Sequence, residues 1–275
     1  MPELPEVETT RLCLIPLEGR SIVSVDVQRD RMLRRQPRPS DFGDRLAGRR
    51  LERWDRHGKF LLAHLDGDIT WVTHLGMSGR VSHVPRDEAR VAHSNVVVGF
   101  DDETEFRLVD PRTFGFVAAY LPQELEELVT GHLGPDALNG LPRSPGLVAL
   151  LGGRTAPIKA LLLDQTVLAG VGNIYADEAL HRARVSPLRP GGELNRDEVK
   201  ALRAGIRRSL EAGLKWGGTS LDDLAYLLPD GRAGEFAGRL RVYGREDEPC
   251  PRCGGTIRRD VVRQRSSFWC PKCQS

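Results

Sequence analysis

Lysine is scarce in this chain of 275 residues: Lys59, Lys159, Lys200, Lys215 and Lys272 are the only five, and arginine supplies the other 35 of the 40 basic residues. Each lysine is therefore worth weighing as a tunable acid or base, a role that the permanently charged arginine cannot fill. Long apolar runs are missing too. No stretch of eighteen apolar residues occurs, so no membrane-spanning helix is expected. The opening MPELPEVETTRLCL lacks the basic start and apolar middle of a signal peptide. A cytoplasmic protein is the expectation, and with no internal repeat and no sign of an obligate oligomer, a monomer.

Net charge is only +2, but its distribution is uneven. From Cys250 to Ser275 six Lys/Arg face one Asp, a net of +5, so the rest of the chain sums to −3. A basic tail on a near-neutral body fits phosphate contact. It equally fits a solvated tail, and charge alone does not separate the two.

Short segments rich in β-branched or aromatic residues, punctuated by Gly, Asp or Pro, predict strands over 22–29, 60–66, 69–75, 95–100, 105–110 and 115–121. A helix is predicted before them, over 3–17. After Pro122 the pattern turns helical, over 123–130, 145–151, 157–163, 174–182 and 196–215, with Asn173 and Asn195 at N-cap positions. The expected class is α+β: a mostly β first domain over 1–132, a helical domain over 133–247 and a small module over 248–275. The glycine-rich, aperiodic stretch from Gly217 to Gly238 reads as a long mobile loop.

The five cysteines fall into a set of four and a remainder. Cys250-Pro-Arg-Cys253 and Cys270-Pro-Lys-Cys273 are two C-x2-C pairs sixteen residues apart. Four thiolates so spaced can close a tetrahedral shell around one structural Zn²⁺ and leave no position for water. The rival reading, a pair of redox dithiols, usually accompanies a βαβ pattern that is absent here. Residues 256–262 and 264–269 can pair as a hairpin decorated by Arg258, Arg259, Arg263 and Arg265. So small a hairpin has no core, and the metal must fold it. Cys13 reads as a small apolar residue buried in the first helix.

Pro2 follows Met1, and a small second residue permits removal of the initiator methionine. The new terminus would be a secondary amine titrating near ~7.7–8.0, partly neutral at cellular pH and able to form an iminium with a sugar carbon. Glu3 and Glu6 lie close enough in sequence to supply general-acid chemistry. Alone, these residues are better explained as the ordinary start of a helix.

They do not stand alone. MPELPEVET occurs with HGKF at 57–60, HLGMSGR at 74–80, DPRTFG at 110–115, VGNIYADE at 171–178, VYGRE at 242–246 and the four-cysteine module. In order and spacing these blocks resemble the bacterial formamidopyrimidine-DNA glycosylases across essentially the whole chain. The resemblance implies an N-terminal β-sandwich and a C-terminal helical domain with a helix-two-turn-helix motif and a zinc-finger hairpin. It implies Pro2 as Schiff-base nucleophile, Glu3 as proton donor, Lys59 as acid/base in β-elimination, and Arg265 in phosphate contact and δ-elimination. The implied partner is damaged double-stranded DNA, with His74, Met77, His93, Arg112, Phe114, Arg154, Lys159 and Asn173 as contacts.

The blocks also make chemical sense. A base inside a duplex must leave the stack before its glycosidic bond can be attacked. Met77 and Phe114 are apolar wedges of the kind that fill such a gap, and Arg112 can bond the orphaned partner base; core packing and a surface ion pair are the competing explanations. The glycines of VGNIYADE permit a turn into a helix whose free N–H groups can hold a phosphate, with Arg154 and Lys159 upstream to clamp the same strand. Thr113 and Asn95 depart from the family pattern, where a second arginine and a second histidine are common. The expected activity is excision of oxidised purines followed by β,δ-elimination. The sister branch acting on oxidised pyrimidines is the near rival, and a zinc-dependent DNA-binding protein without catalysis is the distant one.

Overall fold

The computed structural model of the protein describes residues 1–221 and 226–275. The chain divides into two compact units: residues 1–132 with 216–237, and residues 133–215 with 238–275. The division differs from the expected one in two respects: the segment 216–237 groups with the first unit instead of extending the helical one, and residues 248–275 group with the helical unit instead of standing apart. Among the described residues no helix is long and apolar enough to cross a membrane.

The first unit opens with α1 (Leu4–Leu14) and contains a short α2 (Ser40–Leu46) and α3 (Pro122–Leu128). Among the described residues its eight strands are β1 (Ile22–Val27), β2 (Leu51–His57), β3 (Phe60–Leu65), β4 (Ile69–His74), β5 (Arg80–Pro85), β6 (Ser94–Phe100), β7 (Thr104–Val109) and β8 (Phe116–Tyr120). They form two antiparallel four-stranded sheets, ordered β1-β6-β7-β5 and β2-β3-β4-β8. Trp54 and Trp71 from one sheet meet Phe106 from the other, with ring centroids 6.1 and 4.7 Å apart. The core between the sheets is the apolar filling of a β-sandwich.

Two strands and one helix were not expected: β2, β5 and α2. Both strands lie at sheet edges, where charged side chains blunt further pairing. Charge interrupts the alternation in LERWDRH, and RVSHVP ends in proline, so neither reads as a strand.

The second unit holds α4 (Ser144–Leu151), α5 (Ile158–Leu163), α6 (Asn173–Ala183), α7 (Arg196–Lys215) and the hairpin β9 (Arg258–Val262) with β10 (Arg265–Trp269). Asn195 caps α7, its Oδ1 accepting the N–H groups of Asp197 and Glu198 at 3.0 Å each. The other expected cap differs: Asn173 is the first helical residue of α6, with Gly172 at the cap. Helices α6 and α7 cross closely, because a Cβ at Gly205 would stand 2.5 Å from the Ala179 carbonyl oxygen.

Candidate nucleic-acid interface and catalytic group

Pro2 and Glu3 sit at the entrance to α1, both buried, with Glu3 only 2% exposed. Glu6 fixes this entrance. One carboxylate oxygen accepts the Glu3 N–H at 2.8 Å, and the other accepts the Thr219 N–H at 2.7 Å. The Tyr226 hydroxyl donates to the Glu6 carbonyl at 3.3 Å. Gly218 approaches Glu6 with φ +85°, and a Cβ there would lie 2.9 Å from the carboxylate. Residues 222–225 of the stretch read as mobile lie outside the described residues. Its remainder is built: Thr219 bridges Glu235, the Ser220 hydroxyl bonds the Tyr226 carbonyl, and Phe236 is buried.

Lys59 is the second residue of the two-residue turn between β2 and β3, after Gly58 at φ 58°. Glycine in the first central position suits the twist of such a hairpin. The side chain of Lys59 is buried. Arg56 braces the turn from behind, donating to the Gly58 carbonyl at 2.9 Å and to Glu8 of α1 at 2.9 Å. His74 lies in register between Phe60 and Phe116, stacking on the Phe116 ring and meeting the Phe60 ring at a tilt. Its Nδ1 accepts the Gly76 N–H at 3.1 Å, which puts the ring proton on Nε2. Burial, and then the charge of Lys59, push His74 down to about 4.

Met77 and Phe114 are brought together by their backbones. A Cβ at Gly76 (φ +64°) would stand 2.4 Å from the Gly115 nitrogen, so only glycine lets the two loops touch. Asp110, fully buried, accepts the Ser78 hydroxyl and the Gly115 N–H, each at 2.7 Å. Phe114 is 42% exposed and Met77 is half-buried outside the sandwich core. Arg112 is exposed, its guanidinium 5.7 Å from the Phe114 ring centre. Arg34, which the sequence did not single out, donates to the carbonyls of Phe114 and Gly115 and covers the Phe116 ring. His93 is exposed with φ 67°. Asn95, one of the departures from the family pattern, is buried and donates to the Asp110 carbonyl at 2.7 Å. The other, Thr113, has φ 53° and offers its carbonyl to Arg31.

In the second unit Arg154 is exposed, as a phosphate contact requires. Lys159 is not. It is fully buried, 2.7 Å from Asp177 and donating to the Ser266 carbonyl at 2.7 Å. Asp177 also accepts the Phe268 N–H at 2.8 Å and the Ser267 hydroxyl at 3.2 Å. Lys159 therefore holds β10 from within instead of facing solvent, because a desolvated ammonium needs a counter-charge more than any exposed site could supply. Burial pushes Asp177 up to about 7 against the pull of Lys159. The turn before α6 is braced by Gln165, which accepts the Gly170 N–H and donates to the Val171 carbonyl, both at 2.9 Å. The Asn173 Oδ1 is buried without a partner among the described residues.

The four sulfurs of Cys250, Cys253, Cys270 and Cys273 lie within 4.8 Å of one another. Cys250–Cys273 and Cys253–Cys270 separations of 3.9 and 3.5 Å bracket the ~3.8 Å edge of a tetrahedron with Zn–S bonds of about 2.3 Å. Burial and the neighbouring thiols push Cys273 up to about 12, the mark of a thiol cluster that needs a cation to ionise together. The donor set fits one structural zinc ion. Across the hairpin, Arg258, Arg259, Arg263 and Arg265 are all exposed. Cys13 is half-buried, less so than expected.

Three family descriptions match the chain in succession: formamidopyrimidine-DNA glycosylase N-terminal domain over 1–117, formamidopyrimidine-DNA glycosylase H2TH domain over 133–224, and the zinc finger found in FPG and IleRS over 247–275. A formamidopyrimidine-DNA glycosylase of Roseiflexus sp. (strain RS-1) is 42% identical over 275 residues, covering 100% of both chains. The crystal structure of the MutM (Fpg) protein of Thermus thermophilus is 40% identical, with a TM-score of 0.88 over 99% of this chain and 98% of that one. A Lactococcus lactis Fpg solved with DNA containing an abasic site is 30% identical, with a TM-score of 0.89 over 99% of each chain. The chain belongs to the formamidopyrimidine-DNA glycosylase family of DNA-repair glycosylases.

Proposed function

We propose that the protein excises oxidised purines from duplex DNA and then cleaves the strand at the abasic site. Its chemistry would begin once Met1 is removed and the Pro2 nitrogen is a free secondary amine. The amine attacks C1′ of the damaged nucleotide and the base leaves with the glycosidic electron pair, taking up the proton that the amine nitrogen gives up. Opening of the sugar delivers the C1′–O4′ pair to oxygen, which takes a proton from Glu3, and the iminium formed is already cationic. It acidifies the C2′ proton, and Lys59 serves as acid/base while the 3′-phosphate departs. Arg265 would neutralise phosphate charge during loss of the second phosphate. Zinc, when bound, supplies the fold of the hairpin that carries Arg265.

The observation that carries this reading is the fixed, buried entrance to α1, where Glu6 pins the backbone between Pro2 and Glu3. The family name points to formamidopyrimidine lesions, and the abasic-site complex of the Lactococcus lactis protein is what a lyase step would require. Met77, Arg112 and Phe114 would fill the gap left by the flipped base, with His74, His93, Arg154 and Asn173 contacting the strand. Lys159 would act by holding β10. The stretch 217–238 would cap the base, and the protein would act as a cytoplasmic monomer.

Borohydride trapping tests the reading on duplexes carrying 8-oxoguanine or an oxidised pyrimidine in parallel. The parent should form a covalent adduct, faster with the purine lesion, and intact mass should show loss of Met1. An active protein with an uncleavable N-terminal fusion would refute Pro2 as nucleophile; a preference for the pyrimidine lesion would assign the sister branch.

A further inference from the structure

His181, near the C-terminal end of α6, is fully buried, and its Nε2 lies 3.3 Å from the Sγ of Cys250. The two residues are 69 positions apart, so this contact joins the helix to the first cysteine pair. Arg252, between the two cysteines of that pair, donates to the His181 carbonyl at 2.6 Å and the Arg182 carbonyl at 3.4 Å. The backbone around Cys250 is thus held on α6 independently of the imidazole.

A thiolate ligand has no proton to give, so a neutral imidazole facing it must carry its proton on Nε2. That leaves Nδ1 as a bare lone pair, and Nδ1 is indeed buried without a partner among the described residues. An imidazole that satisfied only the packing of α6 would gain nothing from an orphaned nitrogen, and an apolar ring would serve better. Four thiolates around Zn²⁺ carry a net charge of −2, and a donor at one sulfur spreads that charge. We propose that His181 donates a hydrogen bond to the Cys250 thiolate and thereby slows loss of zinc, tying the occupancy of the metal site to α6.

The test uses the zinc-loaded full chain with H181F and H181M, which cannot donate, and H181Q, which can. Zinc content is measured per chain, and release is followed with a chromophoric chelator. One zinc per chain is expected in each, with H181F and H181M releasing it on the order of 10–100-fold faster than the parent and H181Q in between. The metal-free forms of H181F and H181M should melt no lower than the metal-free parent, since the orphaned nitrogen is gone. Release within twofold of the parent from both apolar variants would overturn the proposal. So would equal losses of melting temperature with and without zinc, which would make His181 a packing residue. Having two apolar variants keeps the test decisive if one fails to fold.

Discussion

Replacing Lys159 with methionine separates two roles that the sequence alone could not distinguish. A solvent-facing phosphate clamp would be lost with little effect on stability, and the log–log salt slope of DNA binding would fall by about 0.9. The structure instead puts Lys159 against Asp177 with both side chains 0% exposed. Removing one partner of such a pair costs roughly 3–5 kcal/mol, because the other is left charged and dry. With an m-value of about 2 kcal/mol per M, the urea midpoint of this unit should drop by roughly 1.5–2.5 M at alkaline pH, where Asp177 is charged. Amide exchange at 266–269 should accelerate, since β10 loses the bond to the Ser266 carbonyl.

The loss should also depend on pH, with a sign that follows from Asp177. Burial already holds its carboxyl at about 7, above its ordinary 3.8, and without Lys159 it rises further. Such a group favours the folded state when protonated, so its contribution is lost as pH rises through the folded pKa. Below about pH 7 the carboxyl is protonated in parent and variant alike. Above it, the variant falls behind by up to about 1.4 kcal/mol per unit. The stability gap should be small at about pH 6, reach up to about 2.8 kcal/mol by about pH 9 and attain its full size only above that. Adding D177N, which keeps one acceptor oxygen without the charge, should remove most of that slope. A gap that is flat with pH, or unchanged stability with a shallower salt slope, would refute the buried-pair account.

The other predictions concern the metal, a loop and a histidine. C270S should lose zinc, disorder the hairpin and flatten the salt dependence of DNA binding; atomic absorption and binding titrations at several salt concentrations check it. M77A should slow excision from duplex DNA and spare cleavage at a preformed abasic site, because no base then needs expelling. Its melting temperature should hold, as Met77 lies outside the sandwich core; equal losses in both activities with a drop of about 2–5 kcal/mol in stability would mark it as core. His74 should titrate near pH 4 by NMR. Its folded pKa lies below the unfolded 6.5, so its contribution is intact above pH 6.5 and declines as pH falls toward 4, by up to about 1.4 kcal/mol per unit. H74F should flatten stability over that window.

Much of the fold was legible because the signals were local. Arg196–Lys215 was predicted to the residue, since Asn195 and Glu198 form a reciprocal cap at its start. The central strands β3, β4, β6 and β7 are buried along most of their length and read as apolar runs. The four cysteines announced themselves by spacing. What escaped was set by partners distant in sequence. Lys159 looked like a surface cation because Asp177 is eighteen residues away, and nothing in either residue names the other. The grouping of 216–237 with the first unit was not legible for the same reason. Thr219 is drawn to Glu6 across 213 residues.

The supports that sequence reading missed share a physical form: a buried carboxylate catching backbone N–H groups. Glu6 takes the amides of Glu3 and Thr219, and Asp110 takes that of Gly115. Asp177 takes that of Phe268, and one oxygen of Glu178 takes those of Arg241, Val242 and Tyr243. Desolvating a carboxylate is costly, and burial indeed pushes Glu178 up, but several N–H donors offset much of that cost. Every non-proline residue offers the same N–H, so the held segment carries no mark in its side chains, and only the acid itself is visible in the sequence. The arrangement also has a functional consequence. Because the loop around 112–115 is fixed through its amides and carbonyls, the Arg112 and Phe114 side chains take no part in the bonds that hold it. They can be presented to a partner without loosening the loop that bears them.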